Sequence, residues 1–592
     1  MASTTRNDSE TALALVHEGW NHLMSQRPLA AWGSWQRALR AEPGSEAARK
    51  ALATLESAAE LPLAARKTYR FRQPRTPDQR SRWDLKMRAG GGPGDGELDA
   101  AAAVFDRLVD EAPDDVEAWY NRALCLAWRG RDVEAVECLD RVVALEAAHD
   151  FQGAVEAWTL AEVLRQGGGA EVLADDLRYA CTFALDRDDL PVDDLVALFP
   201  EIRRIPTPRD PSRPEPAADL EVLEWLDRPA PGPDEAEGLS ASDLPQVLAT
   251  VYAGPGTLRL SSPRVDGLER AEERLRLVLG ESGEAPERAA APLPLPFLDA
   301  AVWTVRLPEG LDRADAGRWT REVVEDYYEG RWIHQPRQGL DGLSPLAAAH
   351  DAHAGDDQAR AKLAAAVRLR EQLGERPSSA GLYQGYPFDR LRRRLGLELD
   401  DPASIESADL TCAGPWELKA LVPAELDDLQ LVDAFLSASG LRDDALAAPL
   451  AEELLRRRPE GLARADAEDL AAPLVRREMG RGRPDAALDW IARVRPLADG
   501  PRARTLEVWR AEIFARSGRP DESAEAYRPL VDGTFEGARL ALDAAETLID
   551  AGHAPQARPF LDEAARLAGP LGLRGLARRA AELLQSQPPG RD

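Results

Sequence analysis

"EAWYNRALCLAWRGRDVEAVECLDRVVAL", residues 117–145, reads as two helices folded back on one another. Trp119, Ala123 and Leu126 recur at helical spacing on the first, and Ala135, Leu139 and Val142 on the second. Small alanines let two helices approach closely. Gly130 stands between them, where a left-handed residue ends the first helix at no steric cost.

The same frame recurs along the chain. It returns at 13–43 with Gly19, Ala31, Trp35, Ala38 and Pro43, at 97–113 with Ala101, Phe105, Leu108 and Pro113, and more loosely at 152–187. In the last third, "GRPDAAL" (482–488), "GRPDESA" (518–524) and "GHAPQAR" (552–558) place Gly482, Gly518 and Gly552 at intervals of 36 and 34 residues. This pattern resembles the tetratricopeptide repeat, whose usual closing proline is Ala147 here. The resemblance implies solenoids of stacked helix pairs with a concave groove that binds extended peptides or partner helices. Carried over by position, the groove residues are Tyr120, Leu124 and Trp128 near the N-terminus. Towards the C-terminus they are Arg476, Glu512, Arg516, Glu546 and Asp550. Asn121 matches one asparagine with which some members clamp a peptide carboxylate, whereas Trp20 stands where the first-repeat asparagine would be. Solenoid faces also pack against other domains of their own chain, so both uses of these residues stay open.

Composition bounds the rest. The 592 residues suffice for several domains, and 44% hydrophobic with 30% charged residues is a globular balance. A net charge of −29 disfavours nucleic acid and anionic membranes as overall partners. Only five of the 74 basic residues are lysine, a bias resembling that of high-GC bacterial genomes. Cys125, Cys138, Cys181 and Cys412 form no short framework and read as core thiols of a reducing cytosol. No signal-like N-terminus and no apolar run of about 18 residues is present, so a cytoplasmic protein is expected.

Proline and glycine punctuate the chain. "RIPTPRDPSRPEP" (204–216) and "DRPAPGPDEAEG" (227–238) frame an expected short helix around Trp225. "AGGGPGDGE" (89–97) reads as a loop, because no Gly-Lys-Ser/Thr follows and Asp95, Glu97 and Asp99 would repel phosphate. The middle changes character. "VLATVYAGPGTLRLSS" (247–262) predicts a hairpin, 264–279 a helix buried through Leu268, Ala271, Leu275 and Val278, 297–308 a third strand and 313–329 a helix. The expected fold is therefore mainly α, with two tetratricopeptide-like solenoid regions flanking a small α+β module. Its parts are a helical region over 1–200, a Pro-rich linker over 201–239, the α+β module over 240–400 and a second helical region over 401–592.

The module ends in "GRWIHQPRQGLDGLSPLAAAHDAH" (330–353). Trp332, Pro336, Leu340, Gly342, Ser344 and Pro345, with "YPFDRLRRRLGL" (386–397), resemble the toxin-binding segment of Xre/MbcA/ParS-type antitoxins. Asp341 departs from the glycine often found there, and no DNA-reading helix-turn-helix precedes the segment. Ser344 suits an N-cap and Pro345 the first helical position. The segment is either a partner surface or a compact linker folded onto the module. His350 and His353 lie three apart and could share a metal, but no third ligand is defined, so solvated surface histidines are the plainer reading.

One patch opposes the global charge. Residues 66–88 carry nine basic and two acidic residues: Arg66, Lys67, Arg70, Arg72, Arg75, Arg80 and Arg82 stand among Tyr69, Phe71 and Trp83. Such a patch can hold an acidic protein or single-stranded nucleic acid, or dock onto acidic faces of its own chain. No nucleophile, nucleotide or dinucleotide fingerprint is found. The expected function is a non-enzymatic scaffold or adaptor that binds a protein or peptide and needs no cofactor. A regulator acting through 66–88 and 330–397, and an enzyme or metalloprotein with a site in the central module, are the alternatives.

Overall fold

The computed structural model describes residues 2–90, 98–185, 192–205, 221–231, 244–254, 256–279, 287–289, 292–298, 301, 305–307, 313–383, 385–458, 465–498 and 500–586. Of the expected loop over 89–97, residues 89 and 90 instead end a helix, and 91–97 lie outside the described residues.

The chain opens on a hairpin of α1 (Ala2–Met24) and α2 (Pro28–Ala41), followed by α3 (Glu46–Glu56) and α4 (Leu63–Arg66). Gly19 permits the α1–α2 crossing, since a Cβ there would fall 2.2 Å from Trp35 Nε1. Next come α5 (Pro77–Gly90), α6 (Leu98–Glu111), α7 (Val116–Trp128), α8 (Asp132–Glu146) and α9 (Phe151–Gln166), each packed on the one before from α6 onwards. Asp115 caps α7 by accepting from the Ala118 amide, and Gly130 (φ +72°) makes the turn into α8 as its position requires.

The looser repeat expected over 152–187 is only half formed. α9 supplies its first helix, but β1 (Leu177–Ala184) stands where the second was expected. The helix that packs along α9 is α14 (Asp357–Gly374), almost 200 residues further on. Between them lie α10 (Val192–Leu198), α11 (Val265–Leu279), α12 (Arg313–Asp326) and α13 (Pro345–His353), together with the sheet. One face of α14, Ala361, Ala365, Leu369 and Leu373, completes the N-terminal core. Another, Leu363, Ala366 and Val367, belongs to the core of the C-terminal half. The two halves are thus joined through a shared helix.

The sheet adds β2 (Ile202–Arg204), β3 (Glu221–Leu226), β4 (Val247–Gly254), β5 (Thr257–Ser262), β6 (Glu287–Arg288) and β7 (Leu293–Pro294), in the antiparallel order β2-β3-β4-β5-β1-β6 with β7 beside β1. The expected hairpin is β4–β5, and the expected helix is α11, with Leu268, Ala271, Leu275 and Val278 all buried. Two expectations fail here. Trp225 lies in strand β3, not in a short helix. A six-residue stretch, EVLEWL, is too short to separate the two forms by periodicity, and pairing with β2 and β4 decides it, aided by Arg203 and Arg306 closing on buried Glu224. Of 297–308, the described residues make one bridge, Gln246–Val305, and no strand.

After α14 run α15 (Pro377–Tyr383), α16 (Asp389–Arg394), α17 (Pro415–Ala420), α18 (Asp428–Gly440) and α19 (Asp444–Arg457). The repeat array proper is α20 (Ala467–Gly480), α21 (Pro484–Val494), α22 (Gly500–Arg516), α23 (Pro520–Tyr527), α24 (Phe535–Asp550), α25 (Ala554–Ala568) and α26 (Arg574–Ser586). Gly482, Gly518 and Gly552 take φ of +68°, +74° and +84° at its three turns. The sheet and α11 share one core with α22–α26, through contacts such as Phe199 on Phe535 at 5.0 Å.

The architecture is mainly α, with two tetratricopeptide-like regions flanking an α+β module.

Candidate partner-binding grooves

The face of α7 that the repeat pattern assigns to a groove is covered by the chain itself. Tyr120, Asn121, Leu124 and Trp128 are all buried, which corrects their expected role as an open surface. The cover has two parts. α2 lies against α7, with Trp32 on Trp128 at 4.8 Å, and a Cβ on Gly33 would meet the Trp128 carbonyl oxygen at 2.1 Å. The other part is the strap Lys67–Thr76, which has neither helix nor strand.

The basic patch supplies that strap. Asn121 grips the strap backbone twice: its Oδ1 accepts from the Arg72 amide at 2.7 Å, and its Nδ2 donates to the Arg72 carbonyl at 2.9 Å. Arg72 pairs with buried Glu146 at 2.7 Å and lies 4.1 Å over the Tyr120 ring. Arg75 reaches Glu117 and Glu146, each at 2.5 Å, and Asp150 at 3.3 Å. Phe71 packs between Phe105 and Trp128. Tyr69 donates to the Ala64 carbonyl, and burial pushes its phenol up. Arg66 donates to the Glu56 carbonyl and Lys67 faces Glu156. Beyond the strap, Trp83 donates to Asp115, with Arg82 3.9 Å from the same carboxylate. Arg70 and Arg80 remain exposed. The positive patch is therefore docked onto buried Asp115, Glu117 and Glu146.

The Trp332–Pro345 segment is an internal weld. Trp332, Leu340 and Pro345 are buried, Ser344 caps α13 by accepting from the Ala347 amide, and Pro336 and Gly342 are exposed, as are Gln338 and Asp341 between them. Of the two readings left open, these buried side chains favour a compact joint within the chain over a surface formed by all six residues. The apolar members face the core of the C-terminal half, while the polar backbone between them faces α9. Gly339 accepts from Trp158 Nε1 at 3.0 Å, and the Gln338 amide donates to Asp175 at 2.6 Å. Asp176 sits between two buried guanidiniums, 3.0 Å from Arg337 and 2.9 Å from Arg370. Burial alone would raise its carboxyl, but the two arginines outweigh that and hold it at about 2. Asp341 takes φ +57°, the left-handed region that suits a glycine there. The arginines of 386–397 also turn inward. Arg390 holds Glu329 and Asp409, Arg392 holds Glu371 and Asp389, Arg393 holds Glu417, and Arg394 donates to Ser437. His350 and His353 lie against Trp416, with ring centroids 5.3 and 4.4 Å away, and no group of three or more potential metal ligands occurs among the described residues. His334 bonds the Gly440 carbonyl at 2.9 Å, and burial lowers its pKa.

In the C-terminal array the equivalent positions are open. Arg476, Glu512 and Glu546 each stand six residues before their turn glycine, as Leu124 does before Gly130. Arg476 is exposed and pairs with Asp444 at 2.8 Å, Glu512 with Arg516 at 3.6 Å, and Glu546 with Arg579 at 3.0 Å, while Asp550 is exposed. Two further carboxylates share this face. Asp469 matches Glu117 in the frame, thirteen residues before its glycine, and Asp543 matches Asn121, nine before. Counting back from Gly482 and Gly552 would have found both. Both are reached by water. Burial, with Asp466 and Glu468 adding to it, pushes Asp469 up to about 6. Burial pushes Asp543 up to about 6 as well, with Glu546, Glu273 and Glu536 adding and Arg539 opposing. Glu512 is also raised by burial. α11 closes one end of the face, where Arg274 bonds Glu536 at 3.1 Å and Glu273 nears Arg539 at 3.9 Å.

The family profile described as tetratricopeptide repeat matches residues 94–150 and 473–534. No curated relative matches. Among solved structures, the chain is similar to the P58(IPK) TPR domain at 13% identity, covering 86% of this chain and 99% of that one with a TM-score of 0.19. It is similar to yeast Tom70 at 12% identity, covering 97% and 96% with a TM-score of 0.20.

Proposed function

We propose that this protein is a non-enzymatic scaffold of a bacterial cytoplasm that binds a protein or peptide in the groove of its C-terminal repeats. One observation carries the reading. Arg476, Glu512, Arg516, Glu546 and Asp550 stand at groove positions and are reached by water, while the matching N-terminal face is filled by the chain's own strap. The paired, partly desolvated charges suit a ligand of mixed charge, because a docking salt bridge replaces one already formed and the surface need not stay apolar in water. Arg-rich composition and four buried free thiols support the compartment. No helix among the described residues is long and apolar enough to cross a membrane. The working division moves the expected boundaries at 200 and 240: the α+β module reaches back to β1 (Leu177–Ala184) and includes β2 and β3, so the stretch 201–239 is not a separate linker, and helical repeats precede and follow the module. The likeness of 330–397 to toxin-binding segments is read as a shared way of folding, since Trp332, Leu340 and Pro345 face inward.

The test exchanges a pair without removing it. Glu512→Arg with Arg516→Glu keeps an ion pair on α22 but reverses the groove's local polarity. The full-length variant and the unmodified protein, checked for equal thermal midpoints, would be used to capture partners from host lysate, beside Arg80→Glu as an exposed control outside the groove. The expected result is a protein retained by the unmodified chain and the control and lost by the exchange variant. Equal capture by all three would overturn the reading.

A further inference from the structure

The strap is held as a ligand is held. Tyr69 is buried, Phe71 and Arg72 are half-buried, Arg75 is half in water but reaches the groove carboxylates, and Lys67, Arg70 and Gln73 face water. Asn121 reads its backbone and not a side chain, a grip that any non-helical peptide could take. Side-chain recognition comes from an aromatic slot, Phe105 and Trp128 around Phe71, and from the carboxylates of Glu117 and Glu146 around Arg72 and Arg75. Those two carboxylates are 3% and 2% exposed, so the groove is costly to leave without cations.

We propose that residues 67–76 are a resident ligand of the α7–α8 groove, and that the groove's ligand in trans is a non-helical basic peptide carrying an aromatic–Arg pair with a second arginine three residues on. Such a partner displaces the strap and takes over its contacts, so the strap sets the threshold for binding. Tethering gives the strap an effective concentration in the millimolar range, so a short competitor hardly enters the unmodified protein. This site is independent of the C-terminal groove, and either can fail without the other.

The experiment uses the full chain and a fluorescein-labelled peptide of residues 67–76, read by anisotropy. In Phe71→Ser/Arg72→Ser/Arg75→Ser the groove is vacated, and the peptide should bind at least about tenfold more tightly than to the unmodified protein. Binding should weaken with added salt. Adding Asn121→Ala should undo at least about tenfold of that gain, since two backbone hydrogen bonds are lost. A folded strap variant that binds no better than the unmodified protein, or an Asn121→Ala change without effect, overturns the proposal. Should the strap variant fail to fold, hydrogen exchange in the unmodified protein decides. The Arg72 amide, held by Asn121, should exchange at least about tenfold faster than the helical amides of α7 and α8, because a ligand-like strap opens locally. Exchange at one common rate would make the strap part of the core and end the proposal.

Discussion

Asp176→Asn tests whether the Trp332–Pro345 segment is the joint between the two halves. Asp176 is the carboxylate between Arg337, on that segment, and Arg370, on α14. Both guanidiniums are buried, at 5% and 3% exposure. Holding the carboxyl at about 2 against an ordinary value of 3.8 corresponds to about 2.5 kcal/mol. Because the folded-state value is depressed, that stabilisation is present above pH 3.8 and is lost as pH falls towards 2. The substitution does more than protonate, because it leaves two buried cations facing a neutral amide. Removing one partner of a buried pair costs about 3–5 kcal/mol. The chain has several cores, so a single global unfolding free energy is the wrong readout. Hydrogen exchange of the 337–343 amides reports this joint directly. The Arg337 amide donates to the Leu343 carbonyl and the Gly342 amide to the Arg337 carbonyl, so both depend on the loop staying closed. At about 1.4 kcal/mol per tenfold, exchange there should speed by roughly two to three and a half powers of ten, provided opening is local. Asp341→Asn is the matched control. Asp341 also faces a cation, Lys362, but is 70% exposed, and such pairs contribute at most about 1 kcal/mol. Less than about a threefold change in a folded Asp176→Asn protein would show that the triad does not hold the loop.

Three further outcomes follow from the packing. Trp332→Ala removes a side chain that is 1% exposed and should cost about 3–5 kcal/mol, seen as a lowered midpoint of the transition that reports the C-terminal half; an unchanged midpoint would place the ring outside the core. Gly33→Ala puts a methyl group 2.1 Å from the Trp128 carbonyl oxygen and should loosen the α1–α2 hairpin to limited proteolysis, whereas Gly44→Ala, with nothing within 4 Å of the added Cβ, should not. Asp543, raised to about 6, stays protonated in the folded array at pH values where the unfolded chain has released that proton, so its contribution to stability falls as pH rises through 6. Asp543→Asn should therefore raise the thermal midpoint at pH 7 and give a smaller difference at pH 5, and a difference independent of pH would contradict the cause assigned to the shift.

Local rules were enough for the helical repeats. Gly130, Gly482, Gly518 and Gly552 all take positive φ at turns that spacing alone located, and Leu268, Ala271, Leu275 and Val278 all face inward from α11. The failures share one origin. Trp225 was misassigned because a stretch as short as EVLEWL says nothing of whether an edge is waiting for it, and β3 has partners on both sides. The half-repeat at α9 was misread for a related reason. Its first helix carries the frame, but the helix that covers it is α14, whose alternate faces Ala361–Ala365–Leu369 and Leu363–Ala366–Val367 serve two cores. Periodicity registers that α14 has more than one apolar face. It does not register which distant helix each face meets.

The same limit applied to the grooves, where a repeat frame identifies the side chains that face inward but not what lies over them. Leu124 and Glu512 hold one repeat position, yet the first is buried and the second is reached by water. An apolar leucine favours cover and a glutamate favours water, but neither residue supplies the cover. The difference lies some 50 residues upstream, in a stretch of nine basic and two acidic residues within a chain of net charge −29. A charge reversal of that size has low energy only near carboxylates, and the nearest in sequence with groove positions are Glu117 and Glu146, which it does reach. No comparable basic run adjoins the C-terminal repeats, where each groove arginine is matched by a nearby carboxylate: Arg476 by Asp444 on α19 and Arg516 by Glu512 on its own helix. Local charge balance thus separates the filled groove from the open one. Transferring the 66–76 sequence to the C-terminal end should not fill the second groove, because its arginines would have to break those pairs and its carboxylates at 469 and 543 are partly protonated near pH 6. Hydrogen exchange across 505–516 and 539–550 that slowed on such a fusion would show that position, and not charge, decides which groove is filled.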